Sequence, residues 1–206
     1  MKYVSDKYAG QAYAEVEIPP GGSFQDMLDA DGQADIGERI NKVIGALASA
    51  NNMGWLLSPD NDFNNEERLG KGKAMVDKLS KLVRLFGELE LGNNRADGDD
   101  LMGDAYEYLM RHFATQSGKS KGQFYTPSEV SQILAKVLQI PASAPRSTTA
   151  YDPTCGSGSL LLKVNAEATN GLSLRGQEKE QATSALARMN MVLHNAPSSE
   201  IWQDDT

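Results

Sequence analysis

Residues 152–158 read Asp-Pro-Thr-Cys-Gly-Ser-Gly and lie where the hydrophobic pattern changes from that of a strand to that of a helix. Residues 148–152 predict a strand, and residues 160–168 predict the helix that follows the turn. Glycines at such a turn let a ligand approach the backbone and the free N–H groups of the helix start. An isolated pair of glycines is more typical of an ordinary tight turn between a strand and a helix, so these residues alone do not identify a ligand.

The same alternation of strand and helix continues to residue 206. Residues 172–177 predict a second strand, and Ile201 and Trp202 indicate a third. Between them, an apolar stripe at helical spacing predicts a helix with Ala182, Leu186, Met189 and Leu193 on its buried face. Alternating strands and helices are typical of a parallel α/β sheet, so we predict an incomplete Rossmann-like domain.

The sequence before residue 148 is predicted to be mainly helical. Residues 1–35 read as irregular, because prolines and glycines interrupt them. Apolar stripes over 36–47, 76–86 and 102–113 each predict a helix, the first capped by Asp35. We therefore expect a helical domain over 1–118 and the first part of a cofactor-binding domain over 119–206.

A further helix is predicted to begin near Thr126. Thr126, Pro127 and Glu129 combine a capping box with proline at the first helical position. The apolar residues at helical spacing predict a buried face made of Val130, Ile133, Leu134, Val137 and Leu138.

Composition narrows the function classes. The chain has 206 residues, 40% of them hydrophobic, without an apolar run near the ~20 residues that a membrane-spanning helix needs. The single cysteine, Cys155, cannot form an internal disulfide, so a cytoplasmic protein is expected. The net charge of −8 means that the chain as a whole repels the phosphate backbone of nucleic acid. The two histidines lack the spacing of a metal site, so no bound metal is predicted.

Two carboxylates narrow the choice of ligand. Glu178 ends the second predicted strand, 20 residues after Gly158, where a carboxylate can bind ribose hydroxyls. The nicotinamide fingerprint requires a third glycine where Leu161 stands, which disfavours a dehydrogenase. Asp152, four residues before Gly156, can meet a cationic amino group such as that of S-adenosylmethionine.

The turn and its surroundings resemble the modification (M) subunit of type I restriction-modification systems, which methylates adenine N6 in DNA. The similarity lies in residues 152–161 and in Gly122-Gln123-Phe124-Tyr125-Thr126-Pro127, with further matches at 103–109, 177–178, 187–190 and 204–206. The resemblance implies S-adenosylmethionine as cofactor. It also implies DNA, a specificity subunit and a restriction subunit as partners.

Carried over residue by residue, the resemblance implies a cofactor site made of Phe124, Tyr125, Thr126, Asp152, Gly156, Ser157, Gly158, Glu178 and Asp205. The first three would line the methionine end of the cofactor, and Asp152 with the turn would form the floor. Glu178 would hold the ribose, and Asp205 would face the adenine amino group. Lys179 departs from the apolar wall usual in similar enzymes, and Asp204 replaces a glycine.

The family's catalytic loop, Asn/Asp-Pro-Pro-aromatic, does not occur in this sequence, so no catalytic residue is predicted. The sequence is expected to be a fragment that is inactive alone, with the first strand forming an open sheet edge. That edge is expected to cause self-association or to be covered by the helical half. A non-catalytic assembly module that docks a specificity subunit is the alternative function.

Overall fold

The computed structural model describes residues 1–8, 10–11, 14–57, 61–89, 91, 105–106, 108–109, 112 and 126–206. The chain forms two compact units, Met1–Asn93 and Asn94–Thr206. The boundary expected after residue 118 lies outside the described residues. The predicted helix over 102–113 falls largely outside them as well.

The first unit is helical. Its elements are α1 (Lys2–Tyr8), α2 (Phe24–Leu28), α3 (Ile36–Ala50), a 3-10 turn (Gly54–Leu56), α4 (Glu66–Leu69) and α5 (Lys73–Gly87). The predicted helices α3 and α5 are therefore present. Their apolar faces enclose a core with α2, formed by Phe24, Met27, Ala30, Ile36, Ile40, Val43, Met75, Leu79 and Val83.

Helices α1 and α2 show that the expectation of an irregular segment over 1–35 was wrong. In α2 the Ser23 N–H donates to the Asp26 carboxylate at 2.9 Å, and the Ser23 hydroxyl accepts from the Asp26 N–H in return. Phe24 and Met27 are buried. A helix of five residues is too short to show periodicity, and the capping box and tertiary packing stabilise it.

The detail of α3 and α5 also departs from the sequence expectation. Asp35 precedes α3 but does not cap it, because its carboxylate accepts a hydrogen bond from Arg39 at 2.8 Å. In α5, Leu79 and Val83 are buried as the stripe predicts, whereas Leu82 and Phe86 are exposed.

The second unit is an α/β layer, as predicted. Its elements are α6 (Ser128–Val137), β1 (Thr149–Asp152), α7 (Ser159–Ala166), β2 (Ser173–Glu178), α8 (Gln181–Leu193) and β3 (Glu200–Gln203). The strands are parallel in the order β1-β2-β3. The register pairs Asp152 with Gly176 and Glu178 with Gln203, so the carboxyl ends of all three strands meet at one edge of the sheet.

Helix α6 begins one residue later than predicted and buries a different face. Its N-cap position is held by Pro127, whose side chain makes no capping hydrogen bond, and not by Thr126 as expected. The five residues predicted to be buried are 45% to 71% exposed. The buried residues are Ser131 and Ala135, whose small side chains allow α6 to approach α7 closely.

Helix α8 shows the same kind of correction. Its buried residues are Thr183, Ser184, Ala187, Asn190, Met191 and Val192, and not the predicted stripe. Two members of that stripe, Leu186 and Leu193, are half-buried against Tyr106. The Tyr106 hydroxyl donates to the Leu186 carbonyl at 2.9 Å, so this side of α8 is covered by a second layer.

No helix among the described residues is long and apolar enough to cross a membrane.

Candidate functional site

The turn between β1 and α7 takes a conformation that requires glycine. Gly156 and Gly158 have φ angles of 54° and 79°, in the left-handed region where other residues are strained. A Cβ atom at Gly158 would also collide with the Met191 Cε atom of α8. The backbone angle therefore selects glycine at this position, and a larger residue would also displace the end of the Met191 side chain.

Hydrogen bonds fix the turn on two sides. The Cys155 N–H donates to the Gln177 carbonyl of β2 at 2.9 Å, and the Gly158 N–H donates to the Cys155 carbonyl at 2.8 Å. The Asp152 carboxylate accepts from the Thr154 N–H at 3.0 Å. The turn is thus attached to both β1 and β2 by hydrogen bonds within the chain.

Helix α7 begins directly after the turn, at Ser159. The first N–H groups of a helix have no partner inside the helix, and they carry the positive end of the helix dipole. The Ser157 and Ser159 hydroxyls are 3.0 Å apart and buried at this end. The turn can therefore offer hydrogen-bond donors to a polar ligand that lies above it.

Two carboxylates give this part of the unit a negative potential. Burial, and after it the negative charges of Asp152 and Glu178, raise the pKa of the Cys155 thiol to about 12. The two carboxylates therefore both act on the turn, although they belong to different strands. The thiol is protonated at neutral pH, so Cys155 is a packing residue and not a nucleophile.

Glu178 ends β2 and is held by the chain that follows it. One of its carboxylate oxygens accepts from the Glu180 N–H at 2.9 Å, and its carbonyl accepts from the Asp204 N–H at 3.2 Å. The side chain is partly exposed. This arrangement fixes the direction of the carboxyl group and leaves it accessible to a ligand's hydroxyl groups.

Asp205 forms an ion pair that the sequence analysis missed. The Lys179 ammonium lies 2.6 Å from its carboxylate, and the Gln177 side chain donates to its carbonyl at 2.8 Å. The hydrogen bond from Lys179 holds the pKa of Asp205 below its usual range. Lys179, noted in the sequence only as a departure, therefore places a positive charge beside the expected adenine site.

The structure brings six of the nine predicted site residues to the carboxyl edge of the sheet. These residues are Asp152, Gly156, Ser157, Gly158, Glu178 and Asp205. Thr126 is exposed and lies two residues before α6. Phe124 and Tyr125 lie outside the described residues. The cofactor contacts of all nine remain predictions.

Two residues of α8 support this edge, and the sequence analysis gave neither of them a role. Arg188 donates twice to the Ile201 carbonyl of β3, at 2.9 Å from Nε and 2.7 Å from Nη2, and burial lowers its pKa. Asn190 donates from Nδ2 to the Ser157 carbonyl at 2.9 Å. A polar residue on the buried face of a helix is the signal that could have indicated them.

Within the described ranges, no group of three or more histidine, cysteine or acidic residues is arranged to hold a metal ion.

Comparison with known proteins gives consistent matches. The methylase subunit of the type I restriction enzyme MpnII from Mycoplasma pneumoniae is 40% identical over 142 residues, which are 65% of this chain and 25% of that protein. The crystal structure of a type I restriction-modification methyltransferase subunit from Streptococcus thermophilus superposes with a TM-score of 0.78 at 30% identity. The superposed region covers 97% of this chain and 42% of the Streptococcus thermophilus chain.

A more distant structure shares the fold alone. It is a Listeria monocytogenes protein described as a class I S-adenosylmethionine-dependent methyltransferase, with a TM-score of 0.51 and 17% identity. This similarity covers 88% of this chain and 53% of that one.

The chain spans about a quarter of the length of the MpnII subunit. The family described as N-6 DNA methylase matches residues 97–206, which include the turn and all three strands. The relatives confirm the resemblance to type I modification subunits that the motifs indicated. With more than half of its residues matched, this chain belongs to the N-6 DNA methylase family.

Proposed function

We propose that the second unit binds S-adenosylmethionine at the turn between β1 and α7, as part of a type I restriction-modification subunit that methylates adenine N6 in DNA. The observation that carries this proposal is that Asp152 and Glu178 end the neighbouring strands β1 and β2 beside the glycine turn. Family membership and the names of the relatives support the reaction class.

Each residue has a chemical role in this proposal. The Asp152 carboxylate attracts the cationic amino group of the cofactor, and the N–H groups after the turn bind polar atoms without a side chain in the way. The accessible carboxylate oxygen of Glu178 accepts hydrogen bonds from the ribose hydroxyls. S-adenosylmethionine, when bound, supplies the methyl group.

The proposal separates cofactor binding from methyl transfer. The 206 residues contain no Asn/Asp-Pro-Pro-aromatic motif, which would polarise and stack an extruded adenine. We therefore expect this chain alone to bind the cofactor without methylating DNA. Transfer of a labelled methyl group to adenine in a single-turnover assay, abolished by Asp152→Ala, would contradict this expectation.

The partners belong to the proposal as well. With a net charge of −8, this chain does not attract the DNA backbone by its overall charge. We propose that DNA is positioned largely by a specificity subunit, and that a restriction subunit completes the complex. A cytoplasmic location, where DNA and these partners are found, is part of the same proposal.

Calorimetric titration with S-adenosylmethionine tests the site. Glu178→Ala should weaken binding by about 1.5–3 kcal/mol, the range for a hydrogen bond to a charged group. Glu200→Ala is a matched control, because Glu200 lies at the amino end of β3 and pairs with Arg175 at 3.1 Å. Unchanged affinity in Glu178→Ala would remove Glu178 from the ribose site.

The second candidate function is an assembly module without cofactor binding. It is favoured by the first unit, where a cleft of about 750 Å³ lies beside α5 and is bordered by Leu85, which is 52% exposed. A partner helix could bury this apolar surface. The same titration separates the two functions, because an assembly module would show no binding of S-adenosylmethionine.

A further inference from the structure

We infer that Asn190 is a positioning residue for the cofactor site, and this inference rests on the proposed function. Asn190 lies on α8, is 1% exposed, and donates from Nδ2 to the Ser157 carbonyl at 2.9 Å. It thereby joins the helix between β2 and β3 to the glycine turn after β1. Nothing in the family match or in the relatives' names assigns it this role.

Burying the Asn190 amide is unfavourable, which indicates that its hydrogen bond to Ser157 provides a specific benefit. Its Oδ1 atom is buried and has no hydrogen-bond partner among the described residues. A buried amide with an unpaired oxygen is unfavourable, and an apolar residue of similar volume would avoid that penalty. The retained contact is the one to Ser157, so its benefit lies in the geometry of the turn.

The contact acts on the peptide group that opens the site. The Ser157 carbonyl belongs to the peptide bond whose N–H group is that of Gly158, the last residue before α7. Fixing this carbonyl fixes the plane of the peptide whose N–H bonds to the Cys155 carbonyl, and with it the position at which α7 begins and its first N–H groups point to a ligand. Ala187 and Met191 pack on Gly158 from the same face of α8, so the amide provides the polar part of a continuous contact.

The position of the turn therefore depends on α8 as well as on β1 and β2. A ligand that binds the turn gains from donors that are already oriented, since it does not have to order them itself. Asn190 touches no ligand in this account. It acts through the turn.

The test compares Asn190→Leu with Val192→Ala in the full chain. Val192 is also buried on α8, but it does not provide the atoms nearest to Gly158 or the hydrogen bond to Ser157, so its truncation measures the effect of loosening the helix. We expect Asn190→Leu to weaken S-adenosylmethionine binding about tenfold more than Val192→Ala does, at a similar melting temperature. Equal affinities in the two variants would overturn the inference.

A second variant gives a readout that a purely structural role would not change. In Asn190→Asp, the protonated carboxyl can donate to the Ser157 carbonyl, whereas the ionised form cannot. Relative to the wild-type pH profile, affinity in this variant should recover as the pH falls. A profile parallel to that of the wild type would contradict the inference, and this variant also serves if Asn190→Leu does not fold.

Hydrogen exchange in the free protein separates failure of this inference from failure of the proposed function. The Gly158 amide, bonded to the Cys155 carbonyl at 2.8 Å, should exchange faster in Asn190→Leu than in Val192→Ala. If the wild type does not bind S-adenosylmethionine, the proposed function and the positioning role both fail, whatever the exchange shows. If it binds and exchange at Gly158 is equal in both variants, the inference about Asn190 alone fails.

Discussion

Helices α6 and α8 lie in the same unit, and each carries an apolar stripe that the sequence predicts to be buried. Both instead bury a different face, which in α6 consists of Ser131 and Ala135 and in α8 contains Ala187 and Asn190 together with the larger Met191 and Val192. Their stripes then differ. In α8 two of the four stripe residues, Leu186 and Leu193, are half-buried against Tyr106, whereas the stripe of α6 stays exposed, with Val137 at 71% and Ile133 at 64%.

The difference shows that a stripe locates a helix more reliably than it locates the buried face. Close packing of a helix on a neighbouring helix or a turn selects small residues, because they allow the backbones to approach. Leu186 and Leu193 of α8 are left for a second layer, although Met191 and Val192 of the same helix are buried. In α8 Tyr106 provides this layer, and in α6 the described residues leave the large side chains exposed.

The largest effect is expected from removing the cover of α8. Tyr106 is 5% exposed and loses both its ring packing and its hydrogen bond to Leu186 in Tyr106→Ala. We expect the free energy of unfolding to fall by about 3 kcal/mol, as for other large-to-small aromatic changes. Urea denaturation measures it, and Tyr108→Ala, at a position 69% exposed, is the control with little effect. Equal losses in both variants would show that Tyr106 does not cover α8.

Local elements of the second unit could be predicted from the sequence, whereas contacts between its elements could not. The strands, the turn and the helices of the second unit were predictable, because each is a local pattern of apolar and glycine residues. Asp152, Glu178 and Asp205 could be brought together because parallel strands end at one edge. The contact from Asn190 to Ser157 and the ion pair from Lys179 to Asp205 were not predictable, since each joins residues far apart in the sequence.

The exposed apolar face of α6 is expected to promote self-association in solution. Within the described sheet β1 pairs only with β2, so an open strand edge accompanies the apolar face in the same unit. We expect the chain to self-associate, as such edges and patches do. Light scattering after size exclusion measures this.

The double variant Ile133→Glu, Val137→Glu should be monomeric. Its free energy of unfolding should lie within about 0.5 kcal/mol of that of the wild-type monomer. Ser131→Glu is the matched control on the buried side of α6, and it should destabilise the fold instead. A wild-type chain that is monomeric at high concentration, with protected β1 amides, would indicate that this face and edge are covered.

The smallest effect on stability is expected from the Lys179–Asp205 ion pair. Like the apolar face of α6, this pair is largely exposed to solvent. Its side chains are 74% and 65% exposed, so the pair is screened by solvent. The pair is present at neutral pH and is lost as the pH falls through the lowered pKa of Asp205.

Lys179→Met should raise the pKa of Asp205 towards its ordinary value, which carboxyl NMR titration measures. Lys81→Met in the first unit should leave that pKa unchanged. An unaltered pKa in Lys179→Met would show that the pair does not form in solution.

The central claim is that the glycine turn between β1 and α7 binds S-adenosylmethionine. Titration of the 15N-labelled chain with S-adenosylmethionine, followed by backbone amide NMR, tests it most directly, with NAD as the comparison ligand. We expect saturable shifts at Gly156, Gly158 and Glu178 with S-adenosylmethionine and no comparable shifts with NAD. Shifts at these amides with NAD alone, or none with S-adenosylmethionine, would contradict it.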